Sequence, residues 1–416
     1  MGCSIRASPF RSARPDPTQP FPRLPHRYSD TAKRPSGWMG IHRGHNARPL
    51  EWIAEKFIFT VSLSAIAMVF LIFLFVGREA LPVFLGDTDS ALVQTVIPSK
   101  DMEKIAPDRL ARYLGMSVSE LKTKDADTLR TMMEIREEAA NEVPAAVRDD
   151  KDATANTTEW KYLLKPHQWT GYSKPEYIWQ PVSAIHKYNL VPLVIGSLKT
   201  TLIGLAFAVP LSLAAAIYVS QLAPPSWKEW IKPGIEFLSG IPSVVLGAFA
   251  FLVLAGFLHD IFGYRYRLNA FVAGIALGLT AVPLIFSIAE DALTSVPRSY
   301  VQAALALGAS KWQTAWQVVL PAAAPGVFAA IVLGFGRCIG ETMVVLIASG
   351  NASVVSWDIF DSTRSLTATI AAEMAEAVNG GHHYRVLFML GTMLFAVTFA
   401  TNLLGDAVMH RLKKQR

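Results

Sequence analysis

The stretch "FIFTVSLSAIAMVFLIFLFV", residues 57–76, contains no charged side chain over twenty consecutive positions. As a helix rising 1.5 Å per residue it spans roughly 30 Å, the thickness of the hydrocarbon layer of a bilayer. The chain has 416 residues, of which 51% are hydrophobic and only 17% charged. Further apolar blocks lie near 193–219, 234–258, 269–290, 326–348 and 386–408. The pattern therefore predicts an all-α membrane protein with six transmembrane helices.

Basic residues are concentrated at the two ends of the chain. Residues 1–56 contain ten Lys and Arg against four Asp and Glu, a net charge of +6, and the chain ends in "RLKKQR". Cytoplasmic segments next to membrane spans carry such an excess of Lys and Arg. We therefore expect both termini in the cytoplasm, which an even number of spans allows. The positive charge thus indicates membrane orientation, and we expect no nucleic-acid partner.

The spans divide the chain into regions of different composition. Residues 1–50, rich in Pro, Arg and Ser, are predicted to be a disordered basic cytoplasmic tail. Residues 77–190 have mixed charge and predict an extracytoplasmic insertion, mostly helical, with helices over 107–114 and 126–140. This insertion is either a docking surface for an extracytoplasmic partner or an addition without a partner. Residues 191–410 form a predicted core of five transmembrane helices.

The connection 291–325 is predicted to be a cytoplasmic loop with two short helices. The first follows Pro297 and ends at Gly308. Ser310 then begins the second as the first residue of a capping box with Gln313, and Pro321 is expected to end it. Its apolar residues, at i, i+4, i+7 and i+8, are Trp312, Trp316, Val319 and Leu320. Such a pair of helices either fits a groove on another protein or packs on its own bundle at the membrane surface.

Two charged residues lie in the apolar block of the fifth predicted span. Arg337 and Glu341 are spaced i, i+4, which places them on one face of a continuous helix. An arginine at bilayer depth costs at least about 2.5–3.5 kcal/mol, so it usually faces the interior of a helix bundle and has a function. The two residues are either a self-neutralising pair that fixes helix packing or part of an anion path. The planar guanidinium suits the second role, because it matches phosphate oxygens.

Other polar residues are weaker candidates for a site. Lys199, in the second predicted span, either extends its ammonium to the outer surface or adds positive potential to a substrate path. The adjacent His382 and His383 have no further ligands close by in sequence, so we expect no metal site.

The loop resembles the EAA loop of ABC-importer permeases. The matching residues are Gln302, Ala303, Ala304, Gly308, Val318, Val319, Leu320 and Pro321. The family pattern is Glu-Ala-Ala, three residues, Gly, nine residues, Ile, one residue and Leu-Pro; this chain has Gln302 for Glu and Val318 for Ile. The resemblance implies that the loop, including Trp312 and Trp316, binds a separate ATPase and couples it to the membrane helices.

Three further stretches are similar to the phosphate permeases of the PstC type. They are "GRCIGETM" at 336–343, "GSLKTTLIGLAFAVPLSLAAAIY" at 196–218 and "FLSGIPSVVLG" at 237–247. The similarity covers about 170–410 and implies the type I ABC-importer permease architecture in a bacterial inner membrane. It also implies that Arg337 and Glu341 take part in phosphate translocation.

The resemblance further implies an assembly. A homologous permease (PstA type), ATPase subunits (PstB type) and an extracytoplasmic phosphate-binding protein (PstS type) would be the partners. The chain itself would bind no cofactor and catalyse no reaction, since ATP and Mg²⁺ would be used by the ATPase; no G-x-x-x-x-G-K-[ST] phosphate loop occurs in the sequence. The alternatives are a permease for another oxyanion or small solute and, from a different class, an ATP-independent channel or secondary carrier.

Overall fold

The computed structural model describes residues 49–86, 99–114, 116, 118–142, 150–152, 155–183 and 185–414. The chain forms two compact units, 1–64 and 65–416. In the first unit the described residues form a helix that begins at Pro49, and this helix ends at Phe84. The predicted disordered tail lies outside the described residues, apart from its last two positions.

Within the described residues, six helices are long and apolar enough to cross a membrane. Their bounds are Trp52–Phe84, Val191–Leu222, Ser243–Phe262, Ala270–Thr294, Lys311–Gly340 and His382–Gly405, and we call them the first to sixth spans. The last helix continues beyond its apolar part, to Lys414. The prediction of an all-α protein with six transmembrane helices is confirmed, and the bounds of the third and fifth spans differ from expectation.

The second and fourth spans pack closely at the centre because glycines face each other. A Cβ atom on Gly278 would lie 2.8 Å from the carbonyl oxygen of Gly204, and one on Gly274 would lie 2.5 Å from the side chain of Ile203. Small residues allow this close approach in membranes, where dispersion forces replace the hydrophobic effect. Further along the fourth span, Ile285 and Phe286 are fully buried in the main apolar core.

The third span begins later than the apolar pattern predicts. A separate helix, Pro225–Leu238, precedes it, and the span starts only at Ser243. Pro242 stands between them in extended conformation, with φ −57° and ψ 137°. Since proline lacks an N–H and restricts the residue before it, the backbone leaves the helix at this point. We call Pro225–Leu238 the Trp230 helix.

The fifth span is continuous with the second helix of the 291–325 loop. The loop helices are Arg298–Ala306 and Lys311–Thr314. A wide turn, Ala315–Val319, with an i→i+5 hydrogen bond from Leu320 N to Ala315 O, then leads into the helix Leu320–Gly340. The prediction that Pro321 ends the helix is therefore wrong. The wide turn shifts the carbonyl that the proline ring would otherwise meet, so the helix continues past it.

The described part of the 77–190 region is mostly helical, as predicted. Its helices are Ser99–Lys104 (3₁₀), Pro107–Leu114, Val118–Thr123, Ala126–Glu142 and Trp160–Leu164. Two short antiparallel strands, β1 (Trp179–Gln180) and β2 (Lys187–Tyr188), pair Trp179 with Tyr188. Trp179 and Tyr188 are buried against the start of the sixth span.

The connections between spans collect at two ends of the bundle. The Trp230 helix and residues 295–310 lie at one, which we call the Gly308 end. Residues 263–269 and 349–381 lie at the other, the Gly350 end, with the helices Met343–Ala348 and Leu366–Glu373 beside it.

Candidate functional site

The helix of the fifth span breaks at Glu341, which corrects the predicted i, i+4 arrangement. The helix ends at Gly340, and Glu341 is extended, with ψ 135°. Its carboxylate folds back to accept hydrogen bonds from the backbone N–H groups of Thr342 and Met343, at 3.1 and 3.3 Å. Thr367 Oγ1 donates to the Glu341 carbonyl oxygen at 2.9 Å. Glycine on the helical side and these replacement hydrogen bonds make the break tolerable within a span.

Arg337 lies one turn before this break, on an exposed side of the chain. Its Nε donates to the carbonyl oxygen of Thr280, in the fourth span, at 3.2 Å. Among the described residues no carboxylate lies within 4.0 Å of its guanidinium, so Arg337 and Glu341 do not form the self-neutralising pair considered above. The bond to Thr280 orients the guanidinium and leaves its two terminal nitrogens available to a ligand.

Lys199 is buried and holds the loop of the Gly350 end. Its ammonium donates to the carbonyl oxygens of Ser356 and Asp358, at 3.1 and 2.9 Å. The side chain is therefore oriented toward the end of the bundle, where its ammonium is hydrogen-bonded to backbone carbonyl oxygens. A role of Lys199 in a substrate path stays a prediction.

The loop at the Gly308 end has the predicted start and stop signals. Gly308 has a φ of +88°, a left-handed conformation that suits glycine and ends the first helix. The capping box is present: Gln313 N donates to Ser310 Oγ at 3.2 Å, and Ser310 N donates to Gln313 Oε1 at 2.8 Å. Both short helices are thus fixed by local hydrogen bonds.

The predicted apolar stripe of the second helix divides between surface and core. Trp312 and Trp316 stack with ring centroids 5.9 Å apart and are more than half exposed. Val319 is fully buried in the main core, and Leu320 packs against it. The wide turn at 315–319 rotates the later residues away from the tryptophans, which is why one stripe becomes two surfaces.

The remaining motif residues lie on the first loop helix and at the start of the helix Leu320–Gly340. Gln302 and Ala303 are exposed, whereas Ala304 is buried, and Pro321 is exposed beyond the second helix. Leu307, next to Gly308, is 89% exposed. The Gly308 end therefore presents an apolar and aromatic surface made of Leu307, Trp312 and Trp316, which is typical of a protein-binding site.

An ion pair that the sequence did not predict fixes the Trp230 helix to the base of this loop. Lys232 Nζ lies 2.8 Å from Glu290 Oε2, and Glu290 also accepts a hydrogen bond from Thr294. The Glu290 side chain is 9% exposed and that of Lys232 is 39% exposed. The two residues are 58 positions apart, so no local sequence pattern relates them. In the sequence, Glu290 is only a charged residue at the end of an apolar block.

A second buried polar cluster lies at the Gly350 end, around Glu373. Its carboxylate lies 2.7 Å from Arg364 Nη1, 3.1 Å from Trp179 Nε1 and 3.4 Å from His383 Nε2. Burial raises the pKa of Glu373, although the bonds from Trp179 and Arg364 act in the opposite direction. The cluster joins the 155–190 segment to the last connection and the sixth span. Within the described residues no three His, Cys, Asp or Glu side chains come together as a metal site.

The 155–190 segment also borders a cavity of about 320 Å³. Lys187 lies in it with its ammonium over the rings of Trp169 and Tyr172, 5.6 and 5.8 Å from their centroids. Burial lowers the pKa of Lys187, while Asp150 and Asp152 oppose this shift. The chain's own cation thus already occupies the aromatic faces of the cavity.

Comparison with known proteins agrees with this architecture. Residues 208–414 match the family model described as "Binding-protein-dependent transport system inner membrane component". The chain is 34% identical over 221 residues to the probable ABC transporter permease protein YqgH of Bacillus subtilis (strain 168), covering 53% of this chain and 72% of that protein.

Two of the relatives are phosphate transport system permease proteins PstC. The one from Pasteurella multocida is 30% identical over 256 residues, covering 57% of this chain and 79% of its own length. The one from Xylella fastidiosa (strain 9a5c) is 31% identical over 257 residues, covering 57% and 78%. A solved structure of the inward-facing MetNI methionine ABC transporter aligns with a TM-score of 0.43 and 18% identity, over 53% of this chain and 95% of the other.

The chain belongs to the family of binding-protein-dependent transport system inner membrane components, the permease subunits of ABC importers. It is therefore a multi-pass transport subunit of the inner membrane. Permeases of this family work with an ATPase and a binding protein.

Proposed function

We propose that the chain is the transmembrane permease subunit of an ATP-driven importer of inorganic phosphate. The observation that carries the proposal is Arg337, whose terminal guanidinium nitrogens have no carboxylate partner among the described residues. The similarity to phosphate transport system permease proteins PstC supports the choice of phosphate.

Arg337 would bind phosphate where the substrate crosses the middle of the membrane. Its Nε is held by the Thr280 carbonyl, so the terminal nitrogens are oriented before the anion arrives. A guanidinium donates two parallel hydrogen bonds to an oxyanion, which favours phosphate over a spherical anion such as chloride. Glu341, bound to the backbone at the break, would add negative potential near the path and prevent the anion from binding too tightly to leave.

The Gly308 end would face the cytoplasm, together with both termini, and the Gly350 end the outside. The surface of Leu307, Trp312 and Trp316 would bind an ATPase of the PstB type, which uses ATP and Mg²⁺. A second permease of the PstA type would complete the path, and a PstS-type protein would deliver phosphate. ATP binding would move the loop, and the connected fifth span would then alternate access to Arg337.

Uptake of radiolabelled phosphate by cells that depend on this chain tests the proposal. Arg337→Gln keeps an amide donor but removes one charge-assisted hydrogen bond, worth about 1.5–3 kcal/mol, so we expect roughly a tenfold to hundredfold loss of uptake. Arg337→Lys keeps the charge without the planar fork and should be intermediate. Arg265→Gln, which removes another exposed arginine, is the matched control and should transport normally.

Three results would contradict parts of this function. Unchanged uptake in Arg337→Gln, at normal expression, excludes the role of Arg337. Stronger competition by sulfate or molybdate than by phosphate indicates a permease for another oxyanion. Uptake by vesicles that contain only this chain and no ATP indicates a channel or secondary carrier.

A further inference from the structure

The Trp230 helix, Pro225–Leu238, carries three different stripes along its length. Lys228, Ile231, Lys232 and Ile235 recur at i, i+3, i+4 and i+7. Trp227, Trp230, Gly234 and Phe237 recur at i, i+3, i+7 and i+10. Glu229 and Glu236, at i and i+7, form the third. Each of these spacings places its members on one face of an α-helix.

The first stripe fastens the helix to the bundle. Ile231 and Ile235 pack against the main core. Lys232 pairs with Glu290 of the fourth span, and Lys228 Nζ donates to the carbonyl oxygen of Ser220, at the end of the second span, at 2.9 Å. The helix is therefore held in a defined rotation, and its other two stripes point in fixed directions away from the core.

The aromatic stripe is among the most exposed apolar surfaces of the described chain. Trp230 is 82% exposed, Phe237 76% and Trp227 60%. The third span begins a few residues after this helix, and its first residues Val244 and Val245 are also at least half exposed. The exposed surface of an apolar span faces lipid or another span, and the aromatic stripe lies four residues before such a surface in the sequence.

We propose that the Trp230 helix is an interfacial helix, with Trp227, Trp230 and Phe237 inserted in the headgroup layer of the bilayer and Glu229 and Glu236 facing water. Tryptophan is the residue type enriched at membrane interfaces, because its ring is largely apolar while its indole N–H needs a polar partner. The length and position of the helix agree with an interfacial location. It is too short and too polar to cross the membrane, and a four-residue break separates it from the span that follows.

Charge and composition favour lipid over a protein groove as the occupant. The stripe has aromatic side chains and a glycine, but its only charged neighbours on the exposed side are the two glutamates of the adjacent stripe. Lys228 and Lys232 are already bonded to the bundle. A helix that lies in the interface needs these same three sectors: one toward its bundle, one toward lipid and one toward water.

Site-directed fluorescence on the full chain tests this inference. The two native cysteines, Cys3 and Cys338, are replaced by Ser and Ala, and an environment-sensitive fluorophore is attached at Trp230→Cys or, as matched control, at Glu229→Cys. The two positions are adjacent in sequence and both exposed, but they lie on different stripes. Each labelled protein is reconstituted in vesicles of phosphatidylethanolamine and phosphatidylglycerol with brominated lipid, with and without its co-purifying subunits.

We expect a blue-shifted emission and loss of fluorescence through brominated lipid at 230, and quenching by aqueous iodide at 229. The pattern should not depend on the other subunits. Equal iodide quenching at both positions would overturn the inference. Protection at 230 that appears only with the other subunits, without quenching by lipid, would show a protein contact instead. Trp227→Cys repeats the measurement should Trp230→Cys fail to fold, and none of these readouts requires phosphate transport.

Discussion

Breaking the ion pair between Lys232 and Glu290 should detach the Trp230 helix from the base of the loop at the Gly308 end. Three variants isolate the pair: Lys232→Met, which keeps an apolar stem, Glu290→Gln, which keeps the side-chain volume, and the double variant. The helix otherwise remains attached through Ile231, Ile235 and the bond of Lys228.

The distance and exposure of the two groups set the expected magnitude. At 2.8 Å and an effective dielectric constant of 20, the Coulomb attraction between unit charges is about 6 kcal/mol before any cost of desolvation. The Lys232 side chain is 39% exposed, so water screens much of this attraction, as it does for surface pairs worth about 0–1 kcal/mol. Glu290 is buried, and a buried carboxylate without its cation is costly. We expect a net coupling of about 1–2 kcal/mol between these limits.

Lys232→Met should destabilise the chain more than Glu290→Gln, because only the former leaves a buried charge behind. The double variant should be more stable than the sum of the two effects predicts. The hydrogen bond to Glu290 raises the pKa of Lys232, so Lys232 is charged at pH 7, and the stability that this raised pKa contributes is lost as pH rises through it.

The assay is thermal unfolding of the purified full chain in detergent at pH 7, with the four proteins measured side by side. Energies are obtained from the midpoints and combined in a double-mutant cycle. Independent sites add to within about 0.5 kcal/mol. Additivity within that range would refute the reasoning, since the two side chains would then not interact at all.

Three further tests, with four substitutions between them, address separate features of the structure. Gly278→Ala places a Cβ 2.8 Å from a backbone carbonyl oxygen of the second span and should lower the free energy of unfolding by about 1–3 kcal/mol. The control Gly234→Ala, whose Cβ would have no atom within 4 Å, should be neutral or stabilise the chain by up to about 1 kcal/mol. Equal thermal midpoints of the two variants would contradict the close packing. Ser310→Ala removes the capping box and about 1 kcal/mol of local helix stability, so amide exchange over 311–314 should accelerate, and unchanged exchange would contradict the role of the cap. Burial raises the pKa of Glu373, so the folded state binds this proton more tightly than the unfolded chain does. Stability should therefore fall as pH rises from about 4.3, the unfolded value, to the folded pKa. If Glu373→Gln retains the wild-type pH dependence of stability, another group is responsible for it.

The spans were predictable because hydrophobic length is a strong signal, but their bounds depend on interactions that composition does not report. Residues 234–238 are apolar enough to extend the third span, but the break at residues 239–242, which ends in the extended backbone of Pro242, separates them from it. Pro321 is an ordinary stop signal in sequence, yet a wide turn that ends two residues earlier, at Val319, allows the helix to continue. Hydrogen bonding of the backbone therefore decides both cases.

The candidate site shows the same division. The capping box of Ser310 follows from local spacing and was predictable, whereas the same spacing placed Trp312 on one apolar stripe with the buried Val319 and did not predict that Trp312 is exposed. The i, i+4 spacing of Arg337 and Glu341 predicted neighbours on one face, but the helix ends between them. Pairs such as Lys232 with Glu290 depend on how distant segments pack, for which a single sequence contains no signal.

The tryptophan pair and Arg337 lie on one continuous helical segment, Lys311–Gly340. Twenty-five residues separate Trp312 from Arg337, a length of about 38 Å. A tilt of only about 5° at the Trp312 end would move the guanidinium by about 3 Å, enough to make or break a hydrogen bond to an anion. The wide turn Ala315–Val319 and the interior proline Pro325 both lie between Trp312 and Arg337, so stiffening the wide turn would change how far a displacement of the tryptophans moves the guanidinium.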